Sequence, residues 1–197
     1  MRLSLAALAL AAIVPVQLAA QTRYSFGVGL TGGTRLVQDR IFEEITVQQR
    51  PAPTFTLGVS TPVSAKERAG VELALGLGKT RIKEAGQPEV DGPDFKTLGL
   101  SVGVDGPILP MLRYRIGAGL IKYFPDKEAF FRQGGPLLLT LSLGADIPVY
   151  RTRGLGLVGR MRYDYQRFST DELRTAGFSR TQDVHRVGLG LAIEYSR

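Results

Sequence analysis

The chain has 197 residues, 44% of them hydrophobic, a net charge of +7 and no Cys. That composition suits one domain and excludes disulfides, thiolate metal sites and a lipid-modified cysteine anchor. The positive charge comes from arginines scattered along the chain and not gathered into a patch, so no nucleic-acid partner is expected.

Arg2, an apolar run from Leu3 to Val14, Pro15 and the small pair Ala19-Ala20 have the form of an export signal. Residues 1–20 are therefore expected to be a signal peptide and residues 21–197 the functional domain. The apolar run is too short to cross a bilayer as a helix, and no later stretch reaches the ~20 residues such a helix requires.

From Arg23 onward, large apolar side chains occupy every second position, which is the period of a β-strand with one greasy face. A first strand is predicted over 23–31, with Tyr24, Phe26, Val28 and Leu30 on the bulky face and Arg23, Ser25, Gly27 and Gly29 on the other. A long polar connection, 32–53, leads to a second strand over 54–61, which could begin as early as Ile45. After a short turn over 62–68, a third strand covers 70–79 and sets Glu72 among small residues, opposite Val71, Leu73, Leu75 and Leu77. A connection over 80–94 precedes a fourth strand over 95–104, with Asp105-Gly106-Pro107 read as a tight turn.

The fifth strand, 111–122, carries Arg113, Arg115, Gly117 and Gly119 on its less apolar face, and a connection over 123–136 follows it. The sixth, 137–147, is closed by Pro148. The seventh, 154–166, puts Arg160, Arg162 and Asp164 opposite Met161, Tyr163 and Tyr165. A last connection, 167–183, includes Ser169-Thr170-Asp171-Glu172, which has the form of a helix capping box with Gly177 as a possible stop. The eighth strand ends the chain.

Connections alternate long and short, as in transmembrane barrels. The less apolar face is mainly Gly, Ser, Thr and Ala, where a water-facing strand would carry Lys, Glu and Asp; small residues suit the interior of a narrow barrel. The sequence therefore predicts an all-β protein, an eight-stranded antiparallel up-and-down transmembrane β-barrel in a bacterial outer membrane, with apolar side chains toward lipid. Phe55, Phe95, Phe124, Tyr163 and Tyr165 fall near the outer strand ends and Tyr24, Tyr114 and Tyr195 near the periplasmic ends, the places of two interfacial girdles.

Inward charges are expected to form a polar network of Arg23, Glu72, Arg113, Arg115, Asp146, Arg160, Arg162, Asp164, Arg186 and Glu194. Two ion pairs are predicted, Asp146 with Arg113 and Asp164 with Arg186, and Glu194 is placed to meet Arg23 where the last strand closes on the first. Eight strands leave a lumen just wide enough to fill with side chains, so an open pore is not expected.

Together these residues resemble the small eight-stranded outer-membrane barrels of the OmpA, OmpX and opacity-protein type, in barrel-only form. The strongest local element is the terminal strand 188–195, with Gly188, Leu191, Ile193 and Tyr195; it is similar to the signal read by the outer-membrane insertion machinery in such proteins. The resemblance implies that machinery as a partner during biogenesis, and outer-membrane lipids and lipopolysaccharide as surroundings. The loop ligand is not legible.

Chemistry is sparse. Gly154-Leu155-Gly156-Leu157-Val158-Gly159 spells a dinucleotide fingerprint but opens no helix, and Leu73 stands where a phosphate-binding loop ending in Gly78-Lys79-Thr80 needs its first Gly. His185 is the sole His, so any hydrolytic triad must use it, with Ser179 and Asp183 as the available partners. No cofactor or metal is expected. The leading expectation is a non-enzymatic barrel that serves envelope integrity or surface interaction through its loops. A narrow porin-like channel or carrier for small solutes comes second and a lipid-modifying hydrolase third.

Overall fold

The computed structural model describes residues 22–33, 35–39, 45–84, 86–126, 137–168 and 182–196. They form β1 (Arg23–Gly33), β2 (Arg35–Asp39), β3 (Ile45–Arg50), β4 (Ala52–Pro62), β5 (Arg68–Glu84), β6 (Val90–Leu109), β7 (Leu112–Pro125), β8 (Leu137–Arg151), β9 (Leu155–Phe168) and β10 (Gln182–Ser196). Every pairing is antiparallel, β10 closes against β1, and the β5–β6 pairing joins the ends of the sheet. Because β2 prolongs β1 and β3 prolongs β4, the ten segments make a closed barrel of eight staves. Closure removes the unpaired edges that an open sheet would present to lipid.

The period-two reading holds along the staves. Phe26, Val28, Leu30, Leu57, Leu73, Leu100, Ile116, Leu141 and Leu191 all face outward and are exposed, while Leu139 and Leu189 are each 61% exposed. A water-soluble domain does not leave a continuous ring of this kind bare. The inner face of the same stretch holds Ser25, Gly27, Thr54, Thr56, Ala74, Thr97 and Gly99, small enough for the narrow lumen.

Strand ends differ from the sequence reading in four places. Asp105-Gly106-Pro107 is not a turn: β6 runs through it to Leu109, Asp105 faces Arg115 in register, and the reversal is made by Pro110-Met111. The cause is the lumen, where the Asp105 carboxylate accepts from Arg23 Nη1 at 3.1 Å. Pro148 does not close β8, which continues to Arg151 through a register irregularity between Pro148 and Tyr150. The turn comes after, over 152–155, with Gly154 at a φ of 80°, a conformation that costs glycine nothing.

The first two outer connections are shorter than predicted, because most of 32–53 and 80–94 is strand. Pro51 and Pro93 mark the places where the ladder is interrupted: an extra residue at each shifts the side-chain parity, so that Gln49 and Ala52, and Gly92 and Phe95, all point inward. Phe95 is the fourth difference. It belongs to no girdle but lies buried in the lumen opposite Gly78, where any side chain would strike its ring. Of the other outer aromatics, Phe55, Phe124 and Tyr163 do face outward, as do Tyr24 and Tyr195 at the other end. The capping-box segment lies outside the described residues.

Candidate functional site

Above the lipid-facing belt the alternation reverses its sense. Lys79, Lys83, Asp91, Asp94 and Lys96 point out, whereas Val47, Phe95, Ile121, Tyr123, Leu138 and Val184 point in and form one apolar cluster with Ile82 against it. Tyr123 is 1% exposed and Val184 0%. Phe95 and Tyr123 stack with ring centroids 5.6 Å apart. This upper third is built like a soluble barrel because its outer surface meets headgroups and water, and its lumen gains by being dry. The sequence reading filled the interior mainly with small and ionic groups; the apolar cap went unseen.

Below the cap lies a cavity of 80 Å³, walled by Thr31, Thr54, Thr56, Thr97, Thr140, Gln166 and Arg186 among others. Its floor is the charge network. Glu72 sits at the centre, accepting from Arg115 Nη1 at 2.5 Å, from Arg160 Nη1 at 3.0 Å and from Arg162 Nη1. Arg160 also reaches Asp146 at 3.2 Å, and Arg162 donates to Asp164 at 2.7 Å. Toward the periplasmic end, Arg113 joins Asp146 at 3.5 Å to Glu194 at 2.7 Å, and Arg23 joins Glu194 at 3.7 Å to Asp105 at 3.1 Å. The chain of pairs is continuous from Asp105 to Asp164. It satisfies buried charges mutually, which is the condition under which they can stand in a low-dielectric interior at all.

The pairs Arg113–Asp146 and Arg23–Glu194 thus form where the sequence placed them. Asp164 with Arg186 does not form. The register sets the two opposite each other, but the Asp164 carboxylate takes Arg162 and the Ser142 hydroxyl, the latter at 2.6 Å. Arg162 lies on the same stave and can bend onto its neighbour, so it wins the acid; Arg186 turns instead to the hydroxyl of Tyr123. Asp105 was missed, although one more step of the alternation Gly99, Ser101, Gly103 would have found it.

No family model matches the sequence, and no curated protein matches it. Among solved structures, Neisserial surface protein A superposes with a TM-score of 0.57 at 12% identity, covering 89% of this chain and 97% of that one. AlkL in lipid bilayers superposes with a TM-score of 0.52 at 14% identity, covering 90% of each. The fold is that of the small eight-stranded outer-membrane barrels.

On this outer-membrane barrel the outer rim carries the remaining chemistry. His185 faces outward with Nδ1 2.6 Å from the Tyr163 hydroxyl, and its ring lies 5.4 Å from that of Tyr165. Tyr165 donates to Asp183 at 2.8 Å, and Arg167 stands 3.7 Å from the same carboxylate. Asp183 thus takes Tyr165 and Arg167, while the Nδ1 of His185 meets the Tyr163 hydroxyl. Ser179 lies outside the described residues. Among the described residues no group of three His, Asp or Glu is placed to hold a metal ion.

In the terminal strand, Leu191, Ile193 and Tyr195 project to the lipid side, while Gly188 faces the lumen, where a Cβ would lie 3.0 Å from Thr31 Oγ1. The outward row is continuous and apolar. Beside it, β10 supplies the seam that shuts the barrel against β1 over eleven paired positions from Arg23↔Ser196 to Gly33↔Arg186.

Proposed function

We propose that this chain is a non-enzymatic outer-membrane barrel without a through-pore, working through the outer extension of its wall and its loops in envelope integrity or surface interaction. The single observation that carries the reading is the double closure of the lumen: a ladder of ion pairs from Asp105 to Asp164, and over it the apolar cluster of Val47, Phe95, Tyr123, Leu138 and Val184. A hydrated ion crossing this path would have to part buried ion pairs and then lose its water among aromatic rings, and both steps are steep.

Residues 1–20 act as the export signal in this reading, and Leu191, Ile193 and Tyr195 as the outward row offered to the insertion machinery. Lys79, Lys83, Lys96 and Lys122 stand on the outer surface just beyond the lipid-facing leucines, with Lys122 held over the Phe124 ring at 5.4 Å. They are placed to meet the phosphates of lipopolysaccharide.

Purified protein in planar bilayers tests the closure. No steps at the picosiemens scale are expected, and steady conductance would replace this reading with that of a narrow channel or carrier. His185→Ala is expected to leave phospholipid and lipopolysaccharide acyl turnover unchanged in cells that express the variant. A fall in turnover would reinstate the hydrolase.

A further inference from the structure

Among the described residues, one deeply buried lumen guanidinium stands outside the ion-pair ladder. Arg23, Arg113, Arg115, Arg160 and Arg162 are matched by Glu72, Asp105, Asp146, Asp164 and Glu194. Arg186 is a further lumen guanidinium, 5% exposed, and makes no ion pair among the described residues. A cation held in that state is costly unless something compensates it.

The cavity beside it is lined by donors with nothing to donate to. Arg186 Nε, Gln166 Nε2 and Thr140 Oγ1 are all buried and without a hydrogen-bond partner, and all three residues line the same 80 Å³ space. Their neighbourhood is built, not accidental. Thr140 pairs with Gln166 across β8 and β9, and Arg186 lies on β10, opposite Asp164 and two residues along from Val184, the partner of Gln166. Gln166 has its amide oriented by Tyr123, whose hydroxyl donates to Oε1 at 2.7 Å and so leaves the NH₂ turned the other way. Gln166 is 1% exposed and Thr140 6%.

We infer that this cavity is a binding site for a single halide-sized monovalent anion, held by Arg186 with Gln166 and Thr140 as hydrogen-bond donors. A single guanidinium, Arg186, faces the space from outside the ion-pair ladder, which suits a monovalent ion. Donors outnumber acceptors at the open valences, which favours an anion over water alone. The space holds about five waters, so one halide with a few companions fits, whereas an organic anion would have to displace the wall. The apolar cap lies above the site and the ion-pair ladder below it. The site needs a closed lumen but not the surface role proposed above, so failure of the loop reading leaves it standing.

The test is to fold the full barrel into detergent in sodium bromide or in sodium gluconate at equal ionic strength. Crystals grown in bromide should show one anomalous peak within hydrogen-bond reach of Arg186 Nε and Gln166 Nε2. The thermal midpoint should lie about 2–4 °C higher in bromide than in gluconate, the size expected when a bound ion stabilises the folded state by about a kcal/mol. In Arg186→Met the peak and the salt difference should both vanish, and in gluconate this variant should melt no lower than the parent, because the charge it removes has no counterion there. Should Arg186→Met fail to fold, Gln166→Leu should still show a reduced salt difference and a weakened peak. A cavity filled only by water in bromide crystals, equal midpoints in the two salts, or the same bromide effect in both variants would overturn the assignment.

Discussion

Replacing Glu72 with Gln should destabilise the barrel by about 3–5 kcal/mol, the cost of breaking a buried ion pair on one side only. Three arginines share Glu72: Arg115, Arg160 and Arg162. Without its charge they face one another across a narrow lumen, and Asp146 and Asp164 can compensate only two of them. The loss is a large part of the 5–15 kcal/mol that a folded domain has in total. Urea titration of vesicle-inserted protein, read as the fraction of heat-modifiable folded band on a gel, measures it. Glu72→Gln combined with Arg162→Met should recover part of the loss, since the two act on one contact. A midpoint within about 0.5 kcal/mol of the parent, the range of an ordinary surface change, would mean that the network contributes little.

The second large effect is on the opposite face of the wall. Leu189 lies midway along β10 between Tyr195 and His185 and points outward. Leu189→Arg should cost about 2–4 kcal/mol in a bilayer, and Leu77→Arg, one step below Lys79 at the outer margin of the belt, about 0–1 kcal/mol, because the penalty for a guanidinium falls with distance from the midplane. The same urea titration resolves the two. Equal effects at both positions would contradict the depth assignment, and no effect at either would mean that this face never meets lipid.

Most of the wall was legible from periodicity alone. Where the outer face meets hydrocarbon, as at Val28, Leu100 or Leu191, every second residue had to be large and apolar and its neighbour small, and the sequence carries that constraint without ambiguity. Above the belt the constraint changes sign. Phe95 looks like a girdle aromatic by its position at a strand end, but it continues the inward row of Thr97, Gly99 and Ser101, and Tyr123, read as the first residue of a connection, continues the inward row of Gly119 and Ile121. A local pattern cannot say where lipid stops and water begins.

The charge network was legible as a set and not as a list of partners. Alternation along a strand fixes which residues point inward, so Glu72, Arg113 and Asp146 could be found. Partner choice depends on how far each side chain reaches across the lumen. That is why Asp164 binds Arg162 from its own stave and not Arg186 from the next, and why Arg186 ends beside a cavity. Asp105 was hidden for a different reason: a Gly-Pro pair imitates a turn, and only the tertiary pull of Arg23 keeps the strand extended through it.

The staves are unequal in length, and the consequence is one of reach. β5 continues past Leu77 to Glu84, and β6 comes back from Val90 to Leu98. About seven residues of inclined strand, at ~3.3 Å each, lift Glu84 and Val90 roughly 18 Å clear of the last hydrocarbon contact. That is more than two screening lengths in physiological salt, each about 8 Å. The tip of this stalk is therefore electrically decoupled from the lipid phosphates beneath it, and whatever docks there meets the field of Lys83, Glu89 and Arg81, not that of the membrane.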